Sequence, residues 1–274
     1  MLKKILMNLE SKTPLVHNIT NYVTVNDCAN IVLASGGAPL MADELEEVED
    51  IVSISSALYI NVGTLNKRTI KSMILAGQKA NKLEIPVVLD PVGMGASKLR
   101  SETVKTLVEN IKFDIIKGNF SEVKSLYEDC KNEGGVDATS ADILKAKDLS
   151  YIADFAKKAS VQFESIIAIT GEVDCVSDGQ RVAYIENGHS MMTKITGTGC
   201  MTGSMMGVYA AVSEKNYFES AMLGLVTMGC AGEIANEKIE KNDEGTASFK
   251  RYLIDEVSKF DVAMLEKRGR YDVR

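Results

Sequence analysis

The chain has 274 residues, of which 45% are hydrophobic and 25% are charged, and this composition excludes a disordered or fibrous protein. Acidic residues outnumber basic residues by 38 to 31, which argues against a protein that binds nucleic acid or an anionic membrane. No internal repeat, low-complexity segment or proline-rich linker divides the sequence. We therefore predict a single domain over residues 1–274, long enough to bury a substantial core.

The five cysteines are scattered and none is spaced as C-x-x-C, so the sequence indicates no zinc site and is typical of reduced thiols in the cytosol. The longest uncharged apolar stretch, residues 220–232, has 13 residues, whereas a helix that crosses a bilayer needs about 20. The apolar N-terminal stretch is broken by Asn8 and Glu10 and is too short for a signal peptide. We expect a soluble cytoplasmic protein with no membrane partner.

In chain order, residues 36–41 predict a turn and a short strand. After them, short apolar runs typical of strands alternate with longer segments of helical spacing. Apolar runs predict four strands, at residues 58–62, 86–89, 113–116 and 165–169. Helical spacing predicts helices that include residues 66–81 and 97–111. Since the apolar runs do not alternate with polar residues, they are typical of a parallel sheet that helices cover on both faces.

The pattern changes after residue 169. Residues 175–177 and 181–185 flank Asp178-Gly179, a sequence typical of a tight hairpin turn, and predict an antiparallel pair at the edge of the sheet. Residues 199–213 and 218–238 are rich in small and apolar side chains and predict two buried helices. The predicted fold is α/β, with a mostly parallel central sheet and an antiparallel edge hairpin.

Polar or glycine residues follow each predicted parallel strand. They are Gly63-Thr64, Asp90, Lys117-Gly118-Asn119 and Thr170-Gly171-Glu172. Open α/β sheets bind their ligands at the carboxyl ends of the strands. We therefore expect four segments to converge on one cleft.

The glycine turn Thr196-Gly197-Thr198-Gly199-Cys200 precedes the first of the two buried helices. Such a turn directs backbone N–H groups and a helix dipole at an anion, so it predicts a phosphate site; a tight loop into a helix is the alternative. With Gly203 the turn also resembles a dinucleotide fingerprint, but it lies far from the first βαβ unit that this motif opens. No P-loop motif occurs.

Two acidic residues follow strands. Asp90, in the segment DPVGMG, can hold Mg²⁺ beside a triphosphate or cap the next helix. Glu122, three residues after Asn119, is either a second carboxylate directed at the same ion or part of a helix capping box.

Residues 14–24 are dense in uncharged hydrogen-bonding groups, which suit a small neutral ligand, although capping of a following helix is an equal alternative. Asn21 and His17 are the candidate binding residues in this stretch. The other histidine, His189, is expected in a turn beyond the hairpin, and Met41 in the core or a pocket wall.

With these segments in this order, the chain resembles the hydroxyethylthiazole kinases, thiamine-salvage enzymes of the ribokinase-like superfamily. The resemblance covers nearly the whole chain and rests on PLVHNITNYVTVNDCAN, GGAPLMA, NVGTL, DPVGMG, KGNFSE, AITGEVD and TKITGTGC. It implies a three-layer α/β/α fold, transfer of the ATP γ-phosphoryl group to 4-methyl-5-(2-hydroxyethyl)thiazole, and a homotrimer whose active sites lie between protomers.

The resemblance also implies roles for single residues. Met41 and Gly197 contact the thiazole alcohol, Lys117, Thr170 and Asn119 contact ATP, Asp90 and Glu122 organise Mg²⁺, and Gly197, Thr198, Gly199 and Cys200 form the anion hole. One departure is Lys117, because the family usually has arginine there and lysine lacks the planar fork.

Cys200 stands where the superfamily has an aspartate base. A helix N-terminus lowers the pKa of a thiol, so we expect Cys200 to orient the substrate hydroxyl and to accept its proton late; a structural thiol in a narrow turn is the alternative. Other functions left open are a hydroxymethylpyrimidine or pyridoxal kinase, an ADP-forming dehydratase, an NAD-dependent oxidoreductase, and a hydrolase with Cys200 as nucleophile and His17 or His189 as base.

Overall fold

The structure, a computed structural model, describes residues 1–130 and 148–274. Within these ranges the strands are β1 (Leu15–Ile19), β2 (Ala38–Leu40), β3 (Ala57–Asn61), β4 (Val87–Asp90), β5 (Ile115–Asn119), β6 (Ile166–Thr170), β7 (Asp174–Ser177), β8 (Val182–Ile185) and β9 (Tyr271–Val273). The helices are α1 (Leu2–Ser11), α2 (Val25–Ala34), α3 (Val48–Ile54), α4 (Lys67–Lys82), α5 (Lys98–Asn110), α6 (Phe120–Cys130), α7 (Leu149–Phe163), α8 (Thr198–Val212), α9 (Tyr217–Asn242), α10 (Thr246–Val257) and α11 (Val262–Arg268), with a short 3₁₀ helix at Ser190–Lys194.

The strands form one mixed sheet in the order β2-β1-β3-β4-β5-β6-β7-β8-β9. Strands β1 to β6 are parallel, and β7, β8 and β9 are antiparallel to their neighbours. The predicted parallel sheet and antiparallel hairpin are confirmed. A third antiparallel strand, β9, pairs outside the hairpin; its three residues are exposed, so it carries no apolar run that sequence reasoning could detect.

The two faces of the sheet are covered by different helices. Apolar side chains of α1, α2, α8, α9, α10 and α11 pack on one face, and those of α3 to α7 pack on the other. The central strands β3 and β4 are buried along their whole length, which is why their sequences do not alternate. The result is the predicted three-layer α/β/α arrangement.

Local sequence explains where the helices begin and how closely they approach the sheet. Asn66 forms a capping box with Thr69 at the start of α4, and the Ser97 side chain caps α5. In α8, a Cβ atom at Gly203 would lie 2.5 Å from Tyr59 Cε2, so only glycine lets this helix lie so close to β3. None of the helices in the two described ranges is long and apolar enough to cross a lipid bilayer.

Candidate active site

The carboxyl ends of the central parallel strands open into one cavity of about 380 Å³. The strand-end residues that the sequence predicts to converge lie together in its wall: Gly63, Asp90, Lys117 and Thr170. The turn before α8 adds Thr196, Gly197, Gly199 and Cys200, and the rest of the wall is Asn21, Val23, Thr24, Val92, Asn119 and Glu122.

Asp90 is buried at the end of β4, with only 1% of its surface exposed. Its Oδ2 accepts hydrogen bonds from Lys117 Nζ at 2.9 Å, the Tyr59 hydroxyl at 2.9 Å and Asn61 Nδ2 at 3.2 Å. Its Oδ1 has no hydrogen-bond partner in the described part of the chain. Because an unpartnered buried oxygen is costly, Oδ1 marks a position for a cation or a polar ligand.

Lys117 connects β5 to the first turn of α8. Its Nζ donates to Asp90 Oδ2 and, at 3.0 Å, to the carbonyl oxygen of Gly199. Burial alone would lower the pKa of Lys117, but the charge of Asp90 and its hydrogen bond with Lys117, together with the charge of Glu122, outweigh burial and raise that pKa. Lys117 is therefore a fixed positive charge between the carboxylate and the glycine turn.

Glu122 forms the capping box that the sequence allows. Its Oε2 accepts from the Asn119 N–H at 2.8 Å, and the Asn119 side chain accepts from the Glu122 N–H at 2.9 Å. Its Oε1 accepts from the Gly93 N–H at 2.8 Å. Burial and the nearby charge of Asp90 raise the pKa of Glu122. Glu122 therefore both caps α6 and lines the cavity.

The donor set of the cavity fits Mg²⁺ bound together with a polyphosphate. The described residues contain no group of three or more side chains with the arrangement of a metal site. Mg²⁺ commonly takes only one or two carboxylates, with waters and substrate phosphates as its other ligands. The free Oδ1 of Asp90 and the neighbouring Glu122 match that pattern.

The glycine turn presents the start of α8 to the cavity. Gly197 has φ +95°, and a Cβ atom there would lie 2.9 Å from Thr24 Cγ2. The N–H groups in the first turn of a helix have no partner within the helix, and the helix dipole favours an anion there. Of the predicted anion-hole residues, Gly197, Gly199 and Cys200 line this cavity, whereas Thr198 lines the adjoining one.

Two asparagine side chains hold the Cys200 sulphur. Asn21 Nδ2 and Asn61 Nδ2 each lie 3.3 Å from Cys200 Sγ, and Asn21 Nδ2 also donates to Asn61 Oδ1 at 2.9 Å. Sequence reasoning missed Asn61. The available signal was its place as a polar residue at the carboxyl end of β3.

Two other residues predicted to bind the substrate, His17 and Met41, lie away from this cavity. His17 is fully buried in β1, where Nε2 lies 2.7 Å from the Ala42 carbonyl oxygen and burial lowers its pKa. Met41 packs beside the core and lines neither cavity described here. The Nδ1 of His189 accepts from the Met191 N–H at 3.2 Å. Neither histidine is hydrogen-bonded to Cys200, so these contacts provide no base for a cysteine hydrolase.

A second cavity, of about 680 Å³, adjoins the first and shares Thr170 and Gly199 with it. Its wall includes apolar side chains of Met192, Leu225 and Met228 as well as Asp174. Burial raises the pKa of Asp174 to about 7, although the Gly171 N–H donates to this carboxylate at 2.9 Å. The long combined space suits a ligand with a charged end and a less polar end.

Comparisons with known proteins agree with this geometry. Residues 6–263 match the model of the "Hydroxyethylthiazole kinase family". The chain is 50% identical over 268 residues to a hydroxyethylthiazole kinase of Alkaliphilus oremlandii, covering 98% of this chain and 96% of that one. It also resembles the solved structure of a hydroxyethylthiazole kinase protein from Pyrococcus horikoshii, with a TM-score of 0.88, 34% identity and coverage of 100% and 98%.

A more distant likeness concerns the fold alone. The pyridoxal kinase of Staphylococcus aureus, solved in complex with AMP-PCP, has a TM-score of 0.56 at 15% identity, covering 80% of this chain and 88% of that one. Together the two solved structures confirm the predicted ribokinase-like fold.

Proposed function

Because the chain belongs to the hydroxyethylthiazole kinase family, we propose that it transfers the γ-phosphoryl group of ATP to the primary hydroxyl of 4-methyl-5-(2-hydroxyethyl)thiazole. The observation that carries this proposal is the meeting of Asp90, Lys117 and the glycine turn in one cavity. A free carboxylate oxygen, a fixed cation and a helix N-terminus are the parts that phosphoryl transfer uses.

ATP would extend across both cavities. Lys117, Asn119 and Thr170 line the first, and Thr170 stands at the junction with the second, whose more apolar wall suits the nucleoside. The phosphates then lie against Lys117 and the start of α8. Lysine supplies the charge at this position through one ammonium group, which already donates to Asp90 and to the Gly199 carbonyl.

Asp90 and Glu122 are the residues that would hold Mg²⁺. The bound ion would neutralise charge on the phosphate oxygens. The chain's own groups would stabilise the remaining negative charge of the phosphates. Lys117, at the end of β5, supplies a positive charge, and the backbone N–H groups of residues 197–200 donate hydrogen bonds to the transferred phosphoryl group. Asn21 and Asn61 donate to the Cys200 sulphur, and Cys200, as the thiolate, would accept the hydroxyl proton late and become the thiol, since a loose transition state needs no strong base.

The thiazole would lie beside Cys200, Gly197 and Asn21, at a site completed by a second protomer. Val23 lines this cavity and Tyr22 precedes it in sequence, and 56% and 80% of their surfaces are exposed. We propose the homotrimer on the ground of family membership, and these two exposed side chains fit an interface at this edge. In such a shared site, Met41 would contact the thiazole that lies between two protomers. His17 would not touch the thiazole and would instead fix the backbone at Ala42 through its hydrogen bond to the carbonyl oxygen.

We further propose one domain over the whole chain, because strands from both ends, β1 and β9, belong to the same sheet. A cytoplasmic location fits the five free thiols of Cys28, Cys130, Cys175, Cys200 and Cys230.

The test is ADP release from Mg²⁺-ATP with and without hydroxyethylthiazole, hydroxymethylpyrimidine or pyridoxal. We expect turnover that depends on the thiazole. Turnover with the pyrimidine or pyridoxal alone would overturn the substrate assignment and leave the nucleotide site standing. No turnover with any alcohol, in protein shown to be folded, would overturn the kinase proposal.

A further inference from the structure

One wall of the second cavity is formed by residues 187–193, which follow β8 and run into the short 3₁₀ helix; we call this segment loop 187–193. Six of its residues line the cavity: Asn187, Gly188, His189, Ser190, Met192 and Thr193. These six residues are a large part of the wall that a ligand in that cavity would face. The position of the loop therefore sets the shape of the cavity.

The loop lies directly against α9 because two glycines of that helix leave room for it. A Cβ atom at Gly229 would lie 2.6 Å from the backbone of Asn187, and one at Gly232 would lie 2.6 Å from Met192 Sδ. The two glycines allow the loop to lie this close to α9. They do not hold the loop there, so other contacts must attract it to the helix.

Those contacts come from Glu233, the next residue of α9. Its Oε1 accepts hydrogen bonds from the Gly188 N–H at 2.9 Å and from Asn187 Nδ2 at 3.2 Å. Only 13% of the Glu233 side chain is exposed, so its charge needs a partner.

The partner is Arg270, at the C-terminal end of the chain. Its guanidinium donates to Glu233 Oε1 at 2.8 Å and Oε2 at 3.2 Å, and to the Glu186 carbonyl oxygen at 2.7 Å. The Arg270 backbone N–H donates to Asn187 Oδ1 at 2.7 Å. One arginine thus holds both the carboxylate that binds the loop and the residues that begin it.

We propose that the Arg270–Glu233 pair positions loop 187–193 for nucleotide binding, so that Arg270 and Glu233 are positioning residues for ATP. This inference rests on the proposed function, which places the nucleoside in the second cavity. Without Arg270, the loop is held less firmly and must be ordered when ATP binds, which weakens binding. The reacting groups are in the first cavity, so kcat changes little.

The test compares Arg270→Met and Glu233→Gln with Arg274→Met, a matched control. Arg274 lies in the same C-terminal segment, but its side chain pairs with Asp272 and has no hydrogen bond to the loop. We expect Arg270→Met and Glu233→Gln to raise the Kd and KM of ATP about three- to tenfold, with kcat within about twofold of wild type. Arg270→Lys should restore part of the affinity, and hydrogen exchange at residues 187–193 should quicken in Arg270→Met without nucleotide.

Each other outcome overturns the inference. An unchanged Kd for ATP in folded Arg270→Met or Glu233→Gln would show that the pair is irrelevant to binding. A fall in kcat at constant KM, or equal losses in Arg274→Met, would indicate a general structural effect. Should Arg270→Met not fold, Arg270→Lys and Glu233→Gln decide by the same criteria. A wild-type protein that binds no ATP would instead overturn the proposed function, and this inference with it.

Discussion

Lys117 Nζ lies 2.9 Å from Asp90 Oδ2, and the two side chains are only 5% and 1% exposed. A charge pair so deeply buried loses hydration on both sides, so removal of one partner leaves the other uncompensated. The pair also joins β4 to β5 at the floor of the cavity, and through the Gly199 carbonyl it reaches the glycine turn.

Lys117→Met should therefore damage both stability and activity. We expect the free energy of unfolding to fall by about 3–5 kcal/mol, because the Asp90 carboxylate remains buried without its cation. We expect kcat/KM for ATP to fall at least about a hundredfold. Denaturant unfolding and steady-state kinetics measure the two effects, and Lys112→Met, an exposed lysine before β5, is the control. Wild-type values in Lys117→Met would remove this residue from the site.

Asp90→Asn should lower kcat at least about a hundredfold, because the free Oδ1 loses its negative charge toward Mg²⁺. Raising the Mg²⁺ concentration should restore part of the rate. The measurement is a Mg²⁺ titration of initial rates, with Asp50→Asn, an exposed residue of α3, as control. A rate that is unaffected would exclude Asp90 as a metal ligand.

Cys200→Ala should lower kcat more than it changes the KM for ATP, because the amides of Asn21 and Asn61 lose the acceptor that they orient. Cys200→Asp should keep or increase activity, since a carboxylate also accepts those hydrogen bonds and the substrate proton. Single-turnover rates distinguish the variants, and Cys130→Ala, a half-buried thiol at the end of α6, is the control. An unchanged kcat in Cys200→Ala would leave Cys200 without a role as proton acceptor, and an inactive but folded Cys200→Asp would contradict it as well.

Gly197→Ala should lower kcat/KM by about tenfold or more. Alanine is strained at φ +95°, and its Cβ would lie 2.9 Å from Thr24 Cγ2, so the turn must shift away from the phosphate position. Gly245→Ala is the control, because a Cβ there meets no atom within 4 Å. Equal activity of the two variants would show that the turn need not keep this geometry.

Asp174 should make stability depend on pH. Its pKa is raised by burial from its ordinary 3.8 to about 7, so the folded protein holds a proton that the unfolded chain releases. This contribution is fully present below about pH 4 and is lost as the pH rises to about 7. Asp174→Asn stays neutral, so we expect its Tm relative to wild type to increase between pH 4 and pH 8.

The control for this comparison is Glu172→Gln, an exposed neighbour that lines the same cavity. A pH-independent difference in Tm between Asp174→Asn and wild type would contradict the assigned pKa.

Local sequence was sufficient for the elements and for part of the site. The buried strands β3 to β6 and helices α4 and α5 lie within a few residues of their predicted bounds, because apolar runs and caps are local signals. The convergence of Asp90, Lys117 and Thr170 was also predictable, since parallel strands share one carboxyl edge.

Other features depend on contacts between distant parts of the chain. Asn61 reaches Cys200 across 139 positions of sequence, and Arg270 reaches Glu233 across 37. The strand β9 owes its pairing to β8 and has no apolar pattern of its own. His17 was a candidate ligand by composition, but the sheet places its ring away from both cavities.

The sequence alone therefore determined the fold class, the order of the elements and the residue types available for phosphoryl transfer, because periodicity, capping and glycine turns act over a few residues. Only the tertiary structure decided which side chains meet: the asparagine pair on Cys200, the free oxygen of Asp90 and the ion pair behind the second cavity. Hydrogen bonds act over about 3 Å, and only packing of the whole chain brings residues so far apart in sequence to that distance.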